Sequence, residues 1–190
     1  MALAINNVGV LKEPATGYGF VAPLGTTLPT DPTQDLASPF LSFGRIGSDG
    51  ITRSFDSDTD GVEDMFGNQI ATLKTSDSET FNWSMVDINE QSLKIFYGDG
   101  AVTVGNNDSV TILSNGNWSQ ARVFALRFIL NETATTITYG LIVIPNGTVS
   151  ERGDQDLTGT DAIGHEVTIN ADADGNGNRA YLYISAPTTK

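Results

Sequence analysis

With 190 residues and 39% hydrophobic content, the chain is long enough to bury roughly 70% of its unfolded surface in one core. No Pro/Gly/Ser-rich linker divides it, so a single domain over 1–190 is expected. The absence of cysteine excludes a disulfide framework and thiolate metal sites, and a net charge of −13 with ten scattered basic residues excludes tight wrapping of nucleic acid, which needs clustered Lys and Arg.

The N-terminal MALAINNVGVLKEP has neither a basic leader nor a long apolar run, so no secretory signal is expected. No stretch approaches the ~18 apolar residues of a membrane span, and synthesis and folding in the cytoplasm are expected. Residues 18–22 read as a short apolar strand. Residues 23–39 hold four of the seven prolines, an extended stretch that cannot lie inside a sheet. Residues 40–46 and 51–55 read as a strand pair, or one bent strand, about Gly47-Ser48-Asp49-Gly50. The polar run 56–68 reads as a loop, and strands resume at 70–75 and 80–86.

The last of these alternates strictly. Phe81, Trp83 and Met85 take one face and Thr80, Asn82 and Ser84 the other, as in a half-buried strand. A helix over about 88–97 follows, with Asp87 as N-cap and Glu90 three residues on as in a capping box. Ile88, Ser92, Leu93, Ile95, Phe96 and Tyr97 cluster on one side of it, Glu90, Gln91 and Lys94 on the other, and Gly98 ends it. Residues 101–104 and 110–113 flank Gly105-Asn106-Asn107-Asp108, whose residue types tolerate positive φ.

The longest strands are expected at 121–130 and 135–144, joined by a turn at 131–134. The first should be buried on both faces except near Arg127. Strands at 165–170 and 179–184 enclose the polar turn 171–178. Many short strands with frequent turn signals indicate a mainly β fold of two packed antiparallel sheets, a sandwich or partly open barrel, flanked by one helix.

Enzymatic constellations are nearly absent. The one histidine, His165, shares a strand face with Ile163, Val167 and Ile169, where a structural, hydrogen-bonded imidazole is the expected role. No G-x-S-x-G, phosphate-cradling or dinucleotide-binding glycine pattern occurs, and neither catalysis nor a cofactor is expected. Asp56-Ser57-Asp58-Thr59-Asp60-Gly61 matches the first half of a calcium loop, and Asp172-Ala173-Asp174-Gly175-Asn176-Gly177 matches loosely. A bidentate Glu is needed at loop position twelve. Gly67 and Tyr183 stand there, and Asp64 compensates only in part, so solvated acidic turns are expected instead of metal sites. Arg152-Gly153-Asp154 and the sequons at Asn82, Asn107, Asn117, Asn131 and Asn146 are the chance yield of a composition rich in Asn, Ser, Thr and Gly.

The order of elements is more specific than any single motif. Pro14-Ala15-Thr16-Gly17 leads into a strand and then Ala22-Pro23-Leu24-Gly25-Thr26-Thr27-Leu28-Pro29-Thr30-Asp31. Phe43-Gly44-Arg45-Ile46-Gly47-Ser48-Asp49-Gly50-Ile51 follows, then the acidic run into Gly67-Asn68-Gln69-Ile70, the strand ending at Val86, and the helix closing on Leu93-Lys94-Ile95-Phe96-Tyr97-Gly98. This resembles the major tail protein, or tail tube protein, of long-tailed bacteriophages with flexible, non-contractile tails. The likeness is good over 14–98 and looser through Gly140-Leu141-Ile142-Val143-Ile144-Pro145 and the closing strands. Relatives often carry a tryptophan near the end of the acidic loop, where this chain has Met65-Phe66-Gly67.

The resemblance implies hexameric rings that stack into a tube around a tape-measure protein, with terminator and baseplate or tail-tip proteins at the ends. It also implies assembly in the host bacterial cytoplasm, and a lumen through which the genome later leaves without specific DNA binding or a membrane role. It assigns ring stacking to the acidic loop, with Asp56, Asp58, Asp60, Glu63 and Asp64 meeting Lys or Arg of the neighbour and Met65 and Phe66 buried against it. High salt should then weaken stacking. Phe81, Trp83 and Met85 should form the core under the helix with Leu93, Phe96 and Tyr97. Two alternatives stand beside this: a carbohydrate- or cell-binding β-sandwich using Trp118 as a stacking platform, or the tube of a related injection or gene-transfer particle.

Overall fold

The computed structural model describes residues 18–106, 109–113, 116, 120–155 and 163–189. The elements are β1 (Gly19–Pro23), β2 (Leu41–Gly44), β3 (Ile46–Glu63), β4 (Gln69–Met85), α1 (Glu90–Tyr97), β5 (Val102–Val104) and β6 (Val110–Ile112). After them come β7 (Arg122–Glu132), β8 (Thr136–Arg152), β9 (His165–Ala171), β10 (Tyr181–Ile184) and β11 (Thr188–Thr189). One antiparallel sheet runs β2-β1-β7-β8-β9-β4-β3, with β10 and β11 added on β8, and β5 and β6 form a separate hairpin.

β8 joins the two halves of this sheet. Its first part pairs with β7 and β10, while Gly147 to Arg152 pairs with β9. It therefore runs well past the expected end at 144. The crossing is tight at Gly147, where a Cβ would fall 2.7 Å from the Phe124 ring and 2.9 Å from Ile169, so only glycine lets strand and core approach this closely.

The sheet curls on itself. β2 and β3 stand at opposite ends of the strand path, yet Arg45 alone separates them in sequence, and Phe43, Ile46 and Ile51 meet one core. Of the two arrangements expected for 40–46 and 51–55, the strand pair does not form: β2 pairs with β1 and β3 with β4, and the chain bends between them at Arg45. Among the described residues no ladder joins β2 to β3, so the curl is a partly open barrel.

Inside it Phe81, Trp83 and Met85 pack with Phe43, Phe124, Leu126, Val167, Ile169, Ile95 and Phe96, with Tyr97 at the margin. The Trp83 ring stacks on Phe43 at 5.9 Å and meets Phe124 edge-on at 5.7 Å. Leu93 is buried too. A second apolar layer on the outer face of β1, β7 and β8 is covered by Leu28, Leu36 and Phe40. Arg127 pins that cover. Expected at a solvated gap, it is instead buried, donating to Pro32 O (2.9 Å) and Thr33 O (3.1 Å) and pairing with Asp35.

The helix starts later than expected. Asn89 is the N-cap, its Oδ1 accepting from the backbone of Gln91 and Ser92, and Ser92 Oγ accepts from Asn89 N to complete the box. Asp87 is drawn off by Arg45, which donates to it from its backbone N–H (2.8 Å) and its guanidinium (2.7 Å). Two charge-assisted bonds outweigh one cap bond. Glu90 pairs with Lys94 one turn on, and Ile88, ahead of the helix, is 61% exposed.

Candidate assembly surface

The polar run 56–68 is not a loop. β3 and β4 stay paired from Thr52↔Asn82 out to Glu63↔Gln69, with register shifts at Asp58/Thr59 and Val62/Glu63. They form a two-stranded arm that projects past the sheet. Between residues 54 and 77 only Val62 and Asp64 are even half covered. At ~3.4 Å per residue the eight residues 56–63 extend roughly 27 Å.

The root of the arm is clamped. Glu79 is buried and accepts from Arg53 Nε at 2.5 Å. The Arg53 guanidinium also lies over Phe55 (4.6 Å) and Phe81 (5.4 Å). From the far side Arg179 donates to Ala171 O (2.8 Å) and Asp77 O (2.5 Å), tying the arm to the end of β9.

The tip is a turn organised by Asp64. Its carboxylate accepts from the backbone of Phe66 (2.8 Å) and Asn68 (2.9 Å) and from the Asn68 side chain (3.0 Å). The Asn68 side chain, then its backbone, holds the Asp64 carboxyl below the usual range. Gly67 closes the turn at φ 81°, a left-handed conformation that favours glycine. Asp64 thus serves the turn, which corrects its grouping with the freely presented carboxylates. Met65 and Phe66, held on top, are 88% and 80% exposed.

Strand alternation places Asp56, Asp58 and Asp60 on one face of β3, with Asp56 and Asp58 opposite Ser78 and Ser76. Ser76 Oγ donates to Asp58 at 2.9 Å. An extended strand spreads these carboxylates along a row, so they do not converge on one ion as a calcium loop would. Among the described residues no group of three or more metal-ligating side chains forms. In the second acidic turn, Asp174 accepts from the Tyr181 hydroxyl (2.6 Å) and from the backbone of Asn176 and Asn178.

Phe55, Ile70 and Leu73 on the same arm are 69%, 65% and 55% exposed. In the sequence they fall in ordinary strand segments, 51–55 and 70–75, where little marks them as exposed. Phe55 had a signal: it continues the alternation of Ile51 and Arg53, beyond the point where the body ends.

Among the described residues the acids of β3 find no uncommitted base. Each of the eight described basic side chains already has a partner: Arg45 with Asp87, Arg53 with Glu79, Lys74 with Asp77, Lys94 with Glu90, Arg122 with Asp99, Arg127 with Asp35, Arg179 with Asp77, and Arg152 with Phe96 O. Asp56, Asp60 and Glu63 have no base beside them among the described residues. Lys12 and Lys190 complete the ten basic residues and lie outside the described set, as do Trp118, Asn107, Asn117 and Pro14 to Gly17 of the sequence reading.

His165 sits under the helix, 3% exposed, with Phe96 and Tyr97 edge-on at 5.1 and 6.3 Å. Burial lowers its pKa, partly offset by the Met85 backbone. Its Nδ1 has no hydrogen-bond partner, so it is a packed ring and not the fully bonded one expected.

The chain is similar to two solved structures of tube assemblies. One is an anti-feeding prophage tube-terminating cap, 12% identical over 97% of this chain and all of that chain, with a TM-score of 0.43. The other is the sheath-tube complex of an extracellular contractile injection system, 11% identical over 92% of this chain and 93% of that chain, with a TM-score of 0.42. No curated protein matches it. The family model described as phage tail tube protein matches residues 3–189, nearly the whole chain, and the protein belongs to that family.

Proposed function

We propose that this chain is the repeating subunit of a long, non-contractile phage tail tube, closing into hexameric rings that stack through the β3–β4 arm. The genome leaves through the tube, which assembles around a tape-measure protein in the host cytoplasm and meets terminator and tail-tip proteins at its ends. The observation that carries this reading is the arm itself, in a chain whose family builds tubes.

An isolated two-stranded hairpin is marginal in water. This one also presents Phe55, Met65, Phe66, Ile70 and Leu73 at 55–88% exposure. Taking roughly 200 Å² per large side chain, the exposed fractions sum to roughly 700 Å² along the arm. It is close to the ~800 Å² that one partner contributes to a standard interface. At 25 cal/mol per Å² its burial is worth at most ~17 kcal/mol before association costs are met. A contact from an arm to a different patch on the next subunit is heterologous and does not close, so it propagates a filament. Around the ring, β2 and the body part of β3 end the strand path and offer free edges to neighbouring protomers, which removes an aggregation hazard.

The test is to replace residues 58–76, the outer part of both paired strands, with a short Gly/Ser turn. Circular dichroism and the melting curve should stay nearly unchanged, because the removed residues touch little of the body. Negative-stain electron microscopy should show tubes from the parent chain and only monomers or single rings from the variant. Long tubes from the variant would place the stacking contact elsewhere.

A further inference from the structure

We infer that the arm joins a second copy through its apolar side chains and against its own charge, so that ionic strength gates tube growth. This rests on the stacking reading above and reverses the expectation that the carboxylates find bases on the neighbour. Three observations carry it. Asp56, Asp58 and Asp60 form a row on one face of β3, with Glu63 at its end. All eight described basic side chains hold a partner within their own chain. The large apolar side chains of the arm are exposed as well, Met65 and Phe66 the most.

Exchanging ion pairs between copies gives no way out. Most bases that turn to Asp56 of another subunit abandon a carboxylate of their own, and with 23 acids to ten bases per chain no exchange removes the excess of acid. With a net charge of −13 per chain, every subunit added to a tube brings more like charge together. Successive carboxylates of the row stand about 7 Å apart. That is inside the ~10 Å Debye length at 0.1 M salt and well outside the ~3 Å length at 1 M. Repulsion between arms therefore acts collectively in dilute buffer and is screened in concentrated salt, while the apolar contact is not weakened. The occupant of the arm's apolar surface is accordingly another copy of this chain, admitted when counterions cover the row.

The experiment measures the pelletable fraction of the full chain by sedimentation, with electron microscopy of the pellet, across a sodium chloride series. A triple variant Asp56→Asn/Asp58→Asn/Asp60→Asn is compared with a control of equal charge change, Asp31→Asn/Glu151→Gln/Asp154→Asn, at exposed sites off the arm and off the strand-path edges. Assembly of the parent should rise several-fold between dilute buffer and half-molar salt. The arm variant should reach the same level already in dilute buffer, and the control should follow the parent. Met65→Ser/Phe66→Ser should abolish tubes at every salt concentration. Tubes that dissolve as salt rises would overturn the inference and leave the stacking reading standing, as would a control that assembles as readily as the arm variant. A parent chain that stays monomeric throughout would sink the stacking reading, and this one with it.

Discussion

Replacing Trp83 tests the core on which the rest of the fold is arranged. The side chain is 1% exposed, stacked on Phe43 and edge-on to Phe124. Truncation of a buried aromatic to alanine costs about 3–5 kcal/mol, and the two ring contacts argue for the upper half of that range. One feature pulls the other way. The indole Nε1 is buried without a hydrogen-bond partner, and an orphaned donor costs about 1–3 kcal/mol that the variant no longer bears. The expected loss for Trp83→Ala is therefore about 3 kcal/mol, or a melting temperature lower by roughly 6–12 °C at this chain length. Trp83→Phe removes the orphaned donor and keeps an aromatic ring, so it should lose less than half as much. Urea denaturation with the slope unchanged would measure both. If Trp83→Phe is as damaging as Trp83→Ala, the indole is making a polar contact and this account of the core is wrong.

Acid should weaken the fold through His165. The unfolded imidazole takes up a proton near its ordinary value of 6.5, whereas the folded one, buried, does so only at lower pH. Stability is then full above about pH 6.5 and falls as pH drops below it, and His165→Phe should flatten that slope in urea titrations below about pH 6.5. The depressed carboxyls of Asp64, Asp87 and Asp174 keep their contribution until the pH falls below about 4, which separates the two windows. Excess chelator should leave melting temperature and assembly unchanged, since Asp64 is taken up by its turn and the row on β3 does not converge; a calcium-reversible drop abolished by Asp58→Ala would refute this. Arg127→Met should cost about 1–2 kcal/mol by leaving Pro32 O and Thr33 O short of a donor, and limited proteolysis should then cut first within residues 24–40.

The body of the fold was legible because its signals are local. Phe81, Trp83 and Met85 alternate with polar residues, and a period of two identifies a buried face whatever packs against it. The helix was legible as a helix, but its start was not. Asp87 and Asn89 are both competent caps, and the choice fell to Arg45, more than forty residues away in sequence, which claims the Asp87 carboxylate. The pairing of β2 and β3 failed for a related reason. Neighbours in sequence ended at opposite edges of a curled sheet, and no local pattern reports a curl.

The outgoing run of the arm, 56–63, was missed as secondary structure because it lacks the apolar alternation that marks burial. Residues 56–63 carry Asp, Ser, Thr and Gly, the vocabulary of a turn, and β propensity mostly measures fit to a half-buried surface. A strand with no covered face has no reason to show that pattern. The same composition is what a projecting ribbon needs before assembly. Unpaired edges and exposed Phe55, Ile70 and Leu73 would otherwise recruit other chains at random, and charge on an edge strand is a common defence. On this argument the carboxylates of β3 prevent premature contact while Met65 and Phe66, raised on a turn fixed by Asp64, carry the contact that is wanted. The two tasks lie on one hairpin, so they are separable by substitution. Removing the acids should make the subunit stick too readily, and removing the tip should leave it soluble and single.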